Sequence, residues 1–358
     1  MERGKNIEAL SLCFTAGVAG GTAAAAAAGG IAAALLLPIL TLPVLLRDRL
    51  RRLPEKPAIG ILLGTFLLLG VFCALNAAVP GASASPELLA AGAAGRLRAF
   101  IGSLAFPSEG TAPLLQALLT GDRSSLSPET VAAFRRSGAS HLLALSGLHM
   151  GILYLLFDSL TKPLGGSRPA KLIRFLLILG GAGFFTLMTG AGPSIVRAFL
   201  FIGLNETLRI LGRPRKATRV FCVALLIQLV LDPGVIRSLG FQLSSLAMAG
   251  IFLLYPVLEK WYPEGGRYNP FRWMWKAAAM SISCQVFTAP LAWLRFHTFP
   301  KWFLLTNLLA IPLTSLTVWS AVIVLALAAA GLCPQLLLEV TDGLCRLLTG
   351  TLEIIASM

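Results

Sequence analysis

Residues 8–46, EALSLCFTAGVAGGTAAAAAAGGIAAALLLPILTLPVLL, form one long apolar stretch near the start of the chain. The stretch is about twice as long as the ~20 residues that a helix needs to cross the hydrocarbon core of a bilayer. Gly29 and Gly30 lie near its middle, where a helical hairpin can turn. A secretory signal peptide has an apolar core of only about 7–15 residues, so the length argues against one. The stretch therefore predicts a pair of membrane-spanning helices.

The composition extends this prediction to the whole chain of 358 residues. Hydrophobic residues make up 56% and charged residues 13%, against about 25% charged residues in soluble domains. So little charge cannot cover a soluble globular surface, and a mean hydropathy of +0.79 requires a bilayer as solvent. The predicted fold class is all-α: a polytopic α-helical integral membrane protein with about ten spans plus short amphipathic surface helices. The six cysteines lie singly in apolar stretches and are interpreted as packing residues.

The basic residues predict the topology, because loops rich in Lys and Arg stay in the cytoplasm. The loop RDRLRRLPEK, residues 47–56, is strongly basic, so we expect this loop and the N-terminus, with Arg3 and Lys5, in the cytoplasm. Every second loop after it is again basic, as a correct assignment of spans requires. The spans expected after the hairpin are 58–79, 141–157, 172–189, 195–211, 220–231, 239–258 and 277–294.

Two C-terminal stretches leave alternatives open. Residues 302–332 are apolar but contain Asn307 and Pro312, which indicates a broken helix or a re-entrant segment beside a longer span. The tail, 335–358, mixes acidic residues with leucines and either spans the membrane or lies on its surface. The expected regions are N-terminal transmembrane helices at 1–80, an extracytoplasmic amphipathic segment at 81–139 and a second transmembrane domain at 140–358.

The richest polar segment is TGDRSSLSPETVAAFRRSGASHLLALSGLHMGIL, residues 120–153. Ser127, Pro128 and Glu129 are typical of a helix start: a capping hydroxyl, a proline at the first position and an acid near the positive end of the dipole. Gly138 suits the end of that helix. The sequence predicts a short helix at the outer membrane surface, which either shapes the loop or contacts a substrate.

Three polar side chains follow in the same segment: His141, Ser146 and His149. On one helix they would line a single polar seam. A serine activated by histidine is the arrangement of a hydrolase, but the segment has no acid to orient an imidazole and no GxSxG elbow. Two histidines without a third ligand also make a poor metal site. Polar residues in a membrane more commonly serve substrate pathways or hydrogen bonds between helices.

Later spans contain further polar groups. In GAGPSIVRAF, Arg197 follows a helix break and either faces an anionic substrate or reaches out to lipid phosphates. Glu206 is expected to pair with Arg209, one helical turn further on. Gln242 and Ser245 are also one turn apart, and hydrogen bonding between helices is the commoner use of such residues.

The segment APLAWLRFHTFPKWF interleaves cations with aromatic side chains at the predicted outer edge of the membrane. A mixture of this kind suits a single-stranded polyanion whose bases can stack. The same residues also make an interfacial aromatic belt, which is the commoner meaning of such a pattern. The cations are Arg295, His297 and Lys301, and the aromatic residues are Trp293, Phe296, Phe299 and Trp302.

Four segments together resemble the membrane domain of the ComEC family, the DNA-internalisation channels of natural competence. They are GDRSSLSPETVAAFRRSGASHLLALSGLHMGIL, GAGPSIVRAFLF, LDPGVIRSLGFQLSSLAMAGI and FPKWFLLTNLLAIPLTSL, in the expected order within residues 110–320. The resemblance implies that 140–358 is a channel domain which moves single-stranded DNA across the cytoplasmic membrane. The candidate substrate-binding residues are Asp122, Arg123, Arg136, His141, Ser146, His149, Ser194, Arg197, Gln242, Arg295 and Asn307.

The chain departs from the fuller architecture of that family. Many members carry an OB-like domain, but residues 81–110 are too few for its five strands. Many also carry a metallo-β-lactamase-like nuclease domain, and no His-rich metal motif is present here. We therefore expect no catalysis, no cofactor and no metal.

The resemblance also implies partners. These are single-stranded DNA, membrane lipids, an external DNA receptor, a separate nuclease and a cytoplasmic motor or single-strand-binding protein, with homo-oligomerisation left open. Two alternative functions remain. One is transport of a smaller anionic solute or a lipid-linked intermediate, and the other is an intramembrane hydrolase built on Ser146 and His149.

The Lys and Arg residues that produce the net charge of +14 fall into two groups according to the predicted topology. Most Lys and Arg residues lie in the N-terminus and the inner loops, where the positive-inside rule alone explains them. The remaining cations run against that rule and are where we expect the polyanion to bind. At or beyond the outer edge they are Arg96, Arg98, Arg123, Arg135, Arg136, Arg197, Arg237, Arg295 and Lys301.

Overall fold

The computed structural model describes residues 9–19, 87–262, 269–297 and 299–358. Helix α1 (Ala9–Ala19) is the described part of the predicted N-terminal hairpin. The rest of that hairpin, the basic loop 47–56 and the span at 58–79 lie outside the described residues.

Every regular element in the described ranges is a helix, which confirms the all-α prediction. Two short 3-10 helices, Lys162–Leu164 and Pro233–Arg237, connect longer helices. The helices after α1 are α2 (Glu87–Gly102), α3 (Thr111–Thr120), α4 (Pro128–Arg136), α5 (Ser140–Leu143), α6 (Gly147–Thr161), α7 (Arg168–Met188), α8 (Pro193–Ile210), α9 (Ala217–Leu231), α10 (Leu239–Leu253), α11 (Tyr255–Glu259), α12 (Pro270–Phe296), α13 (Phe303–Ala329) and α14 (Gln335–Ser357).

Three of the described helices are long and apolar enough to cross a membrane: α7 from Pro169 onward, α12 and α13. The first two match the spans predicted at 172–189 and 277–294. Helices α9 and α10 coincide with two further predicted spans but contain 15 residues each, which is short for a straight crossing. The predicted total of about ten spans is therefore not confirmed.

The stretch 302–332 is one continuous helix, so both alternatives expected for it, a broken helix and a re-entrant segment, are wrong. Helix α13 contains Pro312 in its interior. A proline leaves backbone groups unpaired, but packing against neighbouring helices tolerates this in membrane proteins. Thr306 and Ala310 before the proline, and Thr314 after it, are all buried in such packing.

The tail forms a single helix, α14, that packs lengthwise against α13. Its buried residues recur at intervals of three or four positions, which places them on one face. The opposite face is exposed, and α14 is not among the three span-length apolar helices of the described chain. The buried residues are Leu338, Thr341, Asp342, Cys345, Leu348, Leu352 and Ile355.

The chain divides into two compact units. The first comprises residues 1–85, 167–175 and 199–242, and the second comprises 86–166, 176–198 and 243–358. In the described part of the first unit, the hydroxyl of Ser11 in α1 donates a hydrogen bond to the carbonyl of Cys222 in α9, over 3.3 Å. The core of the second unit is an apolar cluster formed mainly by α3, α13 and α14. The predicted boundaries at 80 and 139 stay a prediction.

The span predicted as one helix at 141–157 is two helices, and that prediction is wrong. Helix α5 ends at Leu143, and Ala144 has an extended backbone conformation (φ −81°, ψ 123°). Ser146 is also extended and caps the start of α6. Serine hydrogen-bonds backbone N–H groups readily, which favours a new helix start over continuation.

The predicted short helix is confirmed as α4, and its location at the outer membrane surface stays a prediction. The Ser127 hydroxyl accepts a hydrogen bond from the Thr130 N–H over 3.1 Å, and Pro128 occupies the first helical position. Phe134 is fully buried, while Arg135 and Arg136 remain exposed in the last turn. Gly138 follows with φ +83°, a conformation that favours glycine.

Candidate functional site

The first and fourth ordered segments pack against each other. A side chain at Gly138 would overlap the Pro300 ring, so the backbone there approaches Pro300 more closely than any other residue type would allow. Next to this contact, the Thr306 hydroxyl donates a hydrogen bond to the Ser137 carbonyl over 2.7 Å. The two contacts fix the end of α4 against the start of α13.

The second and third ordered segments meet through Arg197. Its guanidinium donates a hydrogen bond from Nη1 to the Ser245 hydroxyl over 3.0 Å, which links α8 to α10. The side chain is 3% exposed, so the alternative in which it reaches out to lipid phosphates is wrong. On the same helix, the Ala198 Cβ lies close to Gly147 at the start of α6: a Cβ added at Gly147 would lie 3.8 Å from it. These contacts bring the first, second and third segments together.

The predicted polar seam of His141, Ser146 and His149 on one helix is wrong, because the break between α5 and α6 separates them. His141 is exposed, and its Nδ1 lies 3.1 Å from the Gly138 carbonyl. The Ser146 hydroxyl accepts a hydrogen bond from the Leu148 N–H over 3.3 Å. The Ser146 N–H in turn donates to His149 Nδ1 over 3.4 Å. Ser146 and His149 thus form a capping arrangement at the start of α6.

Asp122 and Arg123 anchor the loop between α3 and α4. Asp122 accepts a hydrogen bond from the Ser124 N–H over 3.0 Å and forms an ion pair with Arg98 of α2. The hydrogen bonds from the Ser124 N–H and hydroxyl, and then the Arg98 guanidinium, lower the pKa of Asp122 below its ordinary value. The Arg123 Nε donates to the Leu143 carbonyl over 3.3 Å. Both residues therefore hold the loop in place.

The remaining candidates have separate surroundings. The Gln242 amide nitrogen donates to the Ile236 carbonyl over 2.8 Å, which ties α10 to the preceding 3-10 turn. Asn307 is half-buried, and its side-chain oxygen has no hydrogen-bond partner among the described residues. Ser194 is half-buried in the first turn of α8. The expected pair of Glu206 and Arg209 is confirmed, with 3.5 Å between their charged atoms.

One surface combines cations with exposed aromatic rings. The contact of Gly138 with Pro300 brings the end of α4 next to the stretch before α13. Four exposed cations lie on or beside these two stretches, although they are far apart in the sequence. The basic-aromatic surface, as we call it, consists of Arg135, Arg136, Arg295 and Lys301 together with the exposed Trp293, Phe299 and Trp302.

Exposed aromatic residues also occur at the opposite end of α12. Phe271 and Trp273 lie in its first turns, and Trp293 and Phe296 lie in its last turns. Trp273 and Trp293 are about 20 residues apart, or about 30 Å of helix, which equals the thickness of the hydrocarbon core. This spacing favours an interfacial belt at each end of α12. Membrane anchoring and binding of a polyanion are compatible at the end of α12 that carries Trp293.

Sequence reasoning missed two partners. Arg98 appeared only as one of the outer cations, and its ion pair with Asp122 depends on the packing of α2 against α3. Nothing in the sequence around Ser245 indicates that its hydroxyl accepts a hydrogen bond from Arg197. No group of three or more metal-ligating side chains occurs among the described residues.

The comparison with protein families matches residues 118–358 to the family described as Competence protein. The chain belongs to this competence protein family. The match includes all four ordered segments and most of the second compact unit, so the resemblance noted from the sequence is confirmed.

Three curated proteins are similar in sequence to this chain. It is 30% identical to "ComE operon protein 3" of Bacillus subtilis (strain 168) over 56% of this chain and 24% of that protein. It is 28% identical to "Uncharacterized protein YcaI" of Escherichia coli (strain K12) over 61% of this chain and 29% of that protein. It is 31% identical to "Competence protein ComA" of Neisseria gonorrhoeae over 47% and 25%, respectively. The chain thus spans about a quarter of the length of these relatives, and no solved structure matches it.

Proposed function

We propose that this chain is a membrane channel that passes single-stranded DNA across the cytoplasmic membrane during natural transformation. Membership of the competence family supports a role in DNA uptake, and two of its relatives are named as ComE operon and competence proteins. The span-length helices support a location in the membrane. We extend the proposal to a multi-pass protein whose N-terminus is cytoplasmic.

The basic-aromatic surface is the observation that carries this proposal. Its cations come from two distant parts of the sequence, and the Gly138 contact with Pro300 brings these two parts of the chain together. Exposed guanidinium and ammonium groups attract phosphates, and their release of counterions drives binding. Exposed Phe299 and Trp302 offer flat faces on which unpaired bases can stack, worth about 1–3 kcal/mol per base. A single strand offers both phosphates and unpaired bases, whereas a small anionic solute offers no row of bases.

We further propose that the chain itself catalyses no reaction. Ser146 and His149 are the pair that would suit a hydrolase, but their groups are engaged in capping α6. The Ser146 hydroxyl accepts from the Leu148 N–H, and no acid orients the other imidazole nitrogen among the described residues. Degradation of the second strand would then belong to a separate nuclease. An external DNA receptor and a cytoplasmic motor or single-strand-binding protein would complete the pathway.

The test replaces three surface cations together, with Arg135, Arg136 and Lys301 each changed to Gln. In a transformable host, we expect DNA to bind the cell surface normally but its entry into the cytoplasm to fall at least ten-fold. For the purified variant binding single-stranded DNA, the slope of log K against the logarithm of the salt concentration should become shallower by about 2. Each lost phosphate contact removes about 0.7 from that slope.

The matched control replaces Arg213, Arg215 and Lys216, which are exposed cations in a predicted inner loop. This variant removes the same charge and should transport normally. A triple Arg135, Arg136 and Lys301 variant that folds and imports DNA at the parental rate would contradict the proposal. Equal losses in both variants would show an effect of net charge rather than of this surface.

A further inference from the structure

Helices α13 and α14 form an antiparallel pair, so residues of the two helices can be placed at the same level. The short connection 330–334 joins them and reverses the direction of the chain. The Ser320 hydroxyl of α13 and the Thr341 hydroxyl of α14 share a hydrogen bond, which sets these two residues level with each other. Because both helices rise equally per residue, Arg346 lies level with Leu316, the central residue of α13.

The exposed sides of these two helices differ in chemistry at the same level. Every exposed residue of α13 is apolar, as contact with lipid hydrocarbon requires. The exposed side of α14 carries Glu339, Arg346 and Glu353, which lie on one face at intervals of about 10 Å. A charged side chain near the centre of a bilayer is costly, so it faces water or a polar partner rather than lipid. The exposed residues of α13 are Leu305, Leu309, Leu316, Ile323, Ala326 and Ala329.

The loop between α2 and α3 independently indicates water at this depth. Asp342 follows Thr341 and accepts hydrogen bonds from the Ser108 N–H and hydroxyl, which holds the loop against α14. Ser108 therefore lies close to the level of Ser320 in α13. Glu109, the next residue of the loop, is exposed. Non-helical backbone occurs at membrane depth only where it is buried in protein or lines a water-filled cavity, and an exposed glutamate fits the cavity.

We infer that the exposed face of α14 and the loop 103–110 line a water-filled path within the membrane, along which single-stranded DNA passes Arg346. The identity of the strand rests on the proposed function, whereas the path rests on the levels of α13 and α14. The Arg346 guanidinium attracts a passing phosphate, and Glu339 and Glu353 repel phosphates on either side of it. Such alternation keeps each contact weak enough to be left, which passage through a membrane requires.

Cysteine reactivity tests for water at this depth, because a thiol reacts as the thiolate and ionises where water reaches it. Single cysteines replace Arg346 or Glu353 in the full chain, whose six native cysteines are changed to Ala. The matched controls are Leu316→Cys and Leu309→Cys, at the same two levels on the exposed side of α13. In native membranes without DNA, a charged methanethiosulfonate reagent should modify the α14 positions about 100-fold faster than the controls.

Equal rates at the two helices would overturn the inference, whatever the chain transports. Slow reaction at both would mean that lipid, another part of the chain or a second copy covers the charged face of α14. Fast reaction at both would place this level outside the bilayer. If Arg346→Cys does not fold, the pair of Glu353→Cys and Leu309→Cys decides the question.

The same variant tests the route of the strand. On Arg346→Cys, a trimethylammonium reagent restores a positive charge, and a sulfonate reagent introduces a negative one. We expect the sulfonate to reduce DNA uptake about ten-fold relative to the trimethylammonium, and the two reagents to give equal uptake on Leu316→Cys. Equal uptake on Arg346→Cys would overturn the route along α14 and leave the proposed function standing. Uptake that does not depend on the chain at all would contradict the proposed function, while the reaction rates would still support the water-filled path.

Discussion

Asp342 shows how one buried carboxylate can join two parts of a membrane unit. The side chain lies on α14 and is 3% exposed. It accepts hydrogen bonds from the Ser108 N–H over 3.0 Å, the Ser108 hydroxyl over 2.8 Å and the Thr111 hydroxyl over 2.6 Å. Helix α3 begins at Thr111, and its own N-cap residue, Gly110, supplies no capping side chain. Asp342 therefore stabilises the start of α3 from a different helix.

Replacing Asp342 by Ala should destabilise the protein by about 2–4 kcal/mol. Hydrogen bonds to charged groups contribute about 1.5–3 kcal/mol, and the variant leaves buried donors unpaired. Unfolding of the purified protein in mixed micelles measures the change. Glu339→Ala, an exposed acid one turn earlier on α14, is the matched control and should change stability by less than about 0.5 kcal/mol. Equal stability of the two variants would contradict this role for Asp342.

Local residue roles were more predictable than distant ones. The sequence predicted the Ser127 cap and the pairing of Glu206 with Arg209, because both depend only on neighbours within one helical turn. The partners of Arg197 and Asp342 depend on contacts between helices that are distant in the sequence. No pattern along the chain encodes such contacts. The roles predicted for the candidate residues in binding a substrate stay predictions.

At the scale of elements, a glycine permits the close packing of α10 against α12. A side chain at Gly250 would overlap the carbonyl oxygen of Ser283 and contact the Phe287 ring. Close approach through small residues is a common way for membrane helices to associate, since apolar burial drives them little within lipid. Cys284 adds a weak contact from its sulfur to the Ala247 carbonyl, over 3.9 Å.

Gly250→Ala should destabilise the protein by about 1–3 kcal/mol, because the added methyl forces the two backbones apart. Gly180→Ala is the matched control: Gly180 lies within α7, and an added methyl there would meet no atom within 4 Å. Both changes improve helix propensity by a similar amount, so their difference in stability isolates the packing effect. Measured unfolding free energies that are equal for the two variants would refute the close contact.

The apolar helices were predicted well where their pattern was uniform, as in α7 and α12. Two errors have opposite causes. The predicted span at 141–157 was divided because Ser146 favours a helix start over helix continuation. The stretch 302–332 was predicted to be interrupted at Pro312, but tertiary packing keeps α13 continuous. The effect of Ser146 is local, whereas the effect of Pro312 depends on packing that hydropathy does not report.

At the scale of the whole molecule, the two ends of α12 predict how the protein is oriented in the membrane. Its exposed aromatic rings lie about 30 Å apart along the helix, as two interfacial belts require. The end with Trp273 also carries Arg272 and Lys276, which the positive-inside rule assigns to the cytoplasm. The predicted orientation therefore has the other end, with Trp293, facing outward together with the basic-aromatic surface.

This orientation predicts which loops a membrane-impermeant maleimide can reach. In a chain whose six cysteines are replaced by Ala, single cysteines are introduced at Ser125, Ser167 and Arg215, all of which are exposed. We expect labelling of intact spheroplasts at Ser125, which precedes α4. Ser167 and Arg215 lie in basic loops that the topology places inside, so they should react only after the membrane is permeabilised. If Ser125 and Ser167 react from the same side, the alternation of basic loops does not describe the topology, and the basic-aromatic surface loses its assignment to the outer face.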